Sequence, residues 1–98
     1  MDYTNHELLT FFLKRMGMYI HPINRNTIVS FIHGFETAAR SRTFTEELKN
    51  YLEISYQIYG SNQGWPRQVE LLAENWGVSW EDGFVQVATV ILEKQKNP

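Results

Sequence analysis

Apolar residues recur along this chain at the spacing of about 3.6 that marks one face of a helix, and they do so in five separate runs. The first run is Leu8, Leu9, Phe12, Leu13 and Met16. The second is Ile28, Phe31, Ile32, Phe35 and Ala39, and the third is Leu48, Tyr51, Leu52, Ser55, Ile58 and Tyr59. Val69, Leu72, Ala73 and Trp76 make the fourth, and Trp80, Phe84, Val87, Ala88 and Ile91 the fifth. Each run is bounded by residues that start or stop helices. Thr4 and Glu7 have capping-box spacing, with Tyr3 and Leu8 placed as a hydrophobic staple. Asn24 or Asn26 is expected to cap the second helix, and Thr43 or Thr45 the third. Pro66 suits a first helical position, and Ser79 the cap of the last helix. Gly17, Gly60 and Gly77 are expected stops. Gly34 lies inside the second run, where a close helix–helix contact is the expected reason to accept a cost of up to ~1 kcal/mol.

With 98 residues, five such helices and their turns use the whole chain. The expected fold is therefore all-α: a single compact domain over 1–98 of about five short helices, either a bundle or stacked helical hairpins. The tail Asn97-Pro98 is expected to fray. No uninterrupted apolar run exceeds three residues, as at Val90-Ile91-Leu92, so no membrane partner is expected. The opening Met1-Asp2-Tyr3 has no basic stretch before an apolar one, which argues against a secretory signal. There is no cysteine, hence no disulfide framework and no thiol nucleophile, and a cytoplasmic setting is expected.

Catalytic chemistry finds little support. His6, His21 and His33 lie in different segments without metal-ligand spacing, so no metal is expected. There is no nucleophile elbow and no glycine-rich phosphate loop. Glu46/Glu47 and Glu81/Asp82 read as helix N-terminal charges rather than acid–base pairs. The chain is expected not to be an enzyme and to need no cofactor.

The segment from Gln68 to Ser79 resembles a helix-turn-helix, with Ala73, then Gly77, then Val78-Ser79 capping a second helix. Such a helix reads DNA with its first residues. Here those are Trp80, Glu81 and Asp82, two of which phosphate would repel. A bulky aliphatic residue is also expected where Gly83 stands. A DNA-binding regulator is thus the alternative reading, and no nucleic-acid partner is expected.

The net charge of −2 hides an uneven distribution. Residues 1–43 hold five Lys/Arg against three acids, whereas residues 44–98 hold four against eight. The acidic half is either an ordinary solvated surface or a face for a basic partner. Its candidate contact residues are Glu46, Glu47, Glu53, Tyr56, Glu70 and Glu74. Glu70 and Glu74 share a helix face. Tyr56 among carboxylates has the character of an interface anchor. Trp65 either plugs the core or stands out as an anchor, with the core favoured.

One stretch carries a family resemblance. Arg15-Met16-Gly17-Met18-Tyr19-Ile20-His21, followed by Phe31-Ile32-His33-Gly34-Phe35, is similar to small bacterial proteins reading approximately R-P-x-M-Y-(L/I)-G, then F-(I/L)-x-G-(Y/F). Met16 stands where that pattern has proline, and His21 where it has glycine. Gly64-Trp65 and Ser79-Trp80 with Phe84 downstream are also similar. The resemblance covers about the first 40 residues most clearly. On these residues the chain resembles immunity proteins of polymorphic-toxin and contact-dependent growth inhibition systems. The resemblance implies a protein that binds a cognate toxin and occludes its active site. An acidic half would suit a basic nuclease toxin.

Overall fold

The computed structural model describes residues 3–96, and the Asn97-Pro98 tail lies outside them. Five helices follow one another: α1 (Asn5–Lys14), α2 (Arg25–Ala39), α3 (Thr43–Tyr56), α4 (Gly64–Trp76) and α5 (Trp80–Lys96). Two 3-10 turns, Met16–Met18 and Ser61–Gln63, lie between them, and no strand occurs among the described residues. The all-α expectation is met in a single five-helix domain.

Local chemistry explains most helix starts. Thr4 Oγ1 accepts from the Glu7 amide at 3.1 Å, while Glu7 Oε1 accepts from the Thr4 amide at 3.1 Å. Those bonds hold the Glu7 carboxyl below the usual carboxylate range, the Thr4 amide contributing most. Asn24 and Thr27 close the same reciprocal box on α2. Ser79 Oγ accepts from the Asp82 amide at 3.1 Å at the start of α5.

The third helix begins differently. Neither Thr43 nor Thr45 caps it; the N-cap position is Arg42, which makes no side-chain cap bond. Its orphan amides are met from outside the helix. Glu36, near the end of α2, accepts from the Thr45 amide at 3.1 Å and from Thr45 Oγ1 at 2.7 Å. Ser41 Oγ accepts from the Thr43 amide at 3.3 Å. Glu36 and Thr45 are both buried, so this carboxylate does a cap's work between helices. Glu36→Ala is expected to lower stability by about 2 kcal/mol in urea unfolding, with Glu36→Gln less severe because one acceptor remains. A loss below about 0.5 kcal/mol for the alanine variant would show that Glu36 is not the cap.

Two stops also differ from expectation. Gly17 lies inside the first 3-10 turn, because α1 already ends at Lys14 with Arg15 as its C-cap. The third helix stops before Gly60, at Gln57, which turns left-handed with φ 53°. Turning there brings Ile58 inward, where it is buried, while Tyr59 points out. Ser55 is exposed as well. Gly77 ends α4 as expected, with φ 69°.

The core runs through all five helices. The stripe of α5 is central: α5 packs on α1, α3 and α4, and α3 packs on α4. Phe84 lies edge-on to Phe44 of α3, stacks on Trp80 and leans on Trp65 of α4. Trp65 therefore packs into the core. The second helix joins through aromatic rings, with Phe31 stacked on Phe12 of α1 at 3.9 Å. Tyr19 lies edge-on to both rings and Met16 is buried. The stretch that carries the family resemblance is thus the packed corner between α1 and α2.

Glycine roles are reversed between two positions. A Cβ on Gly34 would meet nothing within 4 Å, so the expected close contact is absent. A Cβ on Gly83 would sit 3.1 Å from Ala73 Cβ, which makes the α4–α5 crossing the place of close approach. Gly34→Ala is therefore expected to raise stability by about 0.5–1 kcal/mol, read as a higher unfolding midpoint. A lowered midpoint would contradict the open space around Gly34.

Candidate protein-binding face

The six candidate residues fall into three groups. Glu46 and Glu47 are exposed in the early turns of α3, where negative charge complements the helix dipole. Glu47 also accepts from Gln95 Nε2 of α5 at 3.0 Å. Glu70 lies on α4, but its carboxylate is engaged. Arg25 of α2 donates to it at 2.8 Å and Arg67 at 2.6 Å. The Arg25 hydrogen bond, helped by the charge of both arginines, holds the Glu70 carboxyl below its ordinary range. Glu70 is therefore not a free charge for a partner. Glu74 is exposed further along α4.

Glu53 and Tyr56 form the third group. They are three residues apart near the end of α3, hence on one side of it. Tyr56 is 39% exposed and packs edge-on against Trp76, the last residue of α4, with ring centroids 5.9 Å apart. Its other side lies edge-on to Tyr51 at 5.7 Å. The Tyr51 phenol is pushed above the usual tyrosine range, mainly by its hydrogen bond with Tyr56 and then by burial. Trp76 was expected inside, yet it is 39% exposed. As the last residue of α4 it packs on Tyr56 rather than in the core. Ile54, 77% exposed, was not singled out from the sequence. It borders an α3–α5 groove of about 540 Å³ whose lining includes Tyr51, Ile91 and Lys94.

Other features are ordinary by comparison. His6 Nε2 donates to the Leu92 carbonyl at 2.7 Å, which ties α1 to α5. No group of three or more potential metal ligands occurs among the described residues. No helix there is long and apolar enough to cross a membrane. At the front of α5, Trp80 folds inward, donating from Nε1 to the Pro66 carbonyl at 2.9 Å, with Arg25 over its ring. Comparison with protein-family models, curated proteins and solved structures finds no match. The geometry of this face is therefore read on its own chemistry.

Proposed function

We propose that this protein is an immunity-type binder that neutralises a cognate toxin with a basic surface by covering its active site. The observation that carries this reading is the Tyr56–Trp76 pair, exposed beside Glu53 in the acidic half of the chain. Tyrosine and tryptophan dominate binding energy at protein interfaces, and flanking carboxylates steer a basic partner. A basic nuclease suits this face, since groups that attract phosphate also attract carboxylates. The family resemblance at the α1–α2 corner supports the same reading, as does the cytoplasmic setting it implies. The DNA-regulator alternative has weaker support. Its reading helix would present Glu81 and Asp82 to phosphate, while Trp80 is folded away and Arg25 and Arg67 are paired with Glu70.

Genetic adjacency gives the test. A toxin domain encoded by the neighbouring gene should arrest growth when expressed alone. Co-expression of this protein should relieve the arrest, and the purified pair should co-elute from a sizing column. Persistent arrest together with separate elution would remove the proposal.

A further inference from the structure

The ends of α3 and α4 lack the cation that α1 carries in its last turn and α2 at its C-cap. A helix C-terminus carries partial negative charge and favours a cation in its last turn. The first helix ends on Lys14, and Arg40 follows α2 directly. Neither α3 nor α4 has a base in its last turn. Each carries a glutamate near its end instead, Glu53 and Glu74 respectively. Each also ends on an exposed aromatic residue, and these two rings touch. Two negative helix poles and two aromatic rings thus meet, with Glu53 on the Tyr56 side of α3. Places where a sequence breaks a local rule are where function is expected.

The chain's own cations show what such rings accept. Arg25 lies over Trp80 at 5.7 Å and Lys94 over Tyr51 at 5.1 Å. Among the described residues no such cation is found over Tyr56 or Trp76. We infer that the paired C-terminal ends of α3 and α4, faced by Tyr56 and Trp76, form a seat for an arginine side chain of the protein partner. Arginine fits better than lysine, because its planar guanidinium stacks on a ring while donating to carboxylates. The seat is the point where a basic partner is held in register, and Glu46 and Glu47 act only as distant steering charges. The inference rests on the toxin-binder reading for the identity of the partner, although the seat can be measured without it.

The test uses the isotope-labelled protein titrated with tri-arginine amide and, separately, with tri-citrulline amide, which keeps the shape but lacks the charge. Tri-arginine is expected to shift the Trp76 indole and the Gln57 and Gly77 amide signals in a saturable way. Tri-citrulline should bind at least about tenfold more weakly. Trp76→Leu should weaken tri-arginine about tenfold, and Glu53→Gln should weaken it with both rings kept. Equal shifts with both peptides would overturn the seat, as would tri-arginine shifts centred on the first turn of α3 or α5. A seat confirmed here alongside a toxin that fails to bind would remove only the toxin reading. A toxin bound equally well by Trp76→Leu would remove only the seat.

Discussion

Phe84→Ala is expected to lower stability by about 4 kcal/mol, out of roughly 5–15 kcal/mol for a domain of this size. Phe84 is fully buried and joins three helices at once. Its ring meets Phe44 of α3, Trp65 of α4 and Trp80 of its own helix. Alanine would forfeit the transfer energy of the ring and leave a void walled by three large rings, which cannot collapse readily into it. Phe84→Leu should cost much less, about 1–1.5 kcal/mol, because most of the volume stays filled. Urea unfolding followed by tryptophan fluorescence measures both. A loss under about 2 kcal/mol for the alanine variant would contradict the central placement of this ring.

Gly60→Ala is expected to lose about 3 kcal/mol, corresponding to a fall in Tm of roughly 15 °C. The cause is steric rather than conformational, since Gly60 has φ −84°, open to any residue. A Cβ there would lie 2.2 Å from the Gly64 carbonyl oxygen and 3.0 Å from Gln68 Cγ. Backbone must move, and Gln68 with it. Gln68 is fully buried, and its amide donates to the Ile58 carbonyl at 2.9 Å and to the Lys49 carbonyl at 3.3 Å. Displacing it would leave the buried Ile58 carbonyl unpaired on top of the strain. Gly77→Ala, by contrast, meets nothing within 4 Å and carries only the cost of a left-handed alanine. A Gly60→Ala protein that melts with the wild type would show that Gly60 does not approach the Gly64 carbonyl closely.

These cases also show where sequence reading holds and where it stops. The capping box at Thr4–Glu7 and the cap at Ser79 were legible because both partners sit within three residues. The cap of α3 was not, because Glu36 reaches it from another helix. Gln57 carries no left-handed preference, so nothing local marks it as the end of α3; Gly60, which seemed to, is required by a close backbone approach instead. The close helix–helix contact expected at Gly34 lies instead at Gly83, because only the packing of α4 on α5 decides which glycine meets a neighbour. The same limit applies to the candidate face. Glu53 and Tyr56 followed from charge and helix geometry. Trp76 was expected inward and is exposed. Glu70 was expected to be free, but Arg67 pairs with it at i, i+3 and Arg25 reaches it because α2 meets α4 there.

The most direct measurement is calorimetric titration of this protein into the proposed toxin partner, the product of the neighbouring gene, at low and high salt. A basic partner held at the end of α3 and α4 predicts a one-to-one complex that weakens as salt rises. Glu53→Lys should weaken it further, and by more at low salt than at high salt. Absence of a complex, or an affinity indifferent both to salt and to Glu53→Lys, would contradict the account.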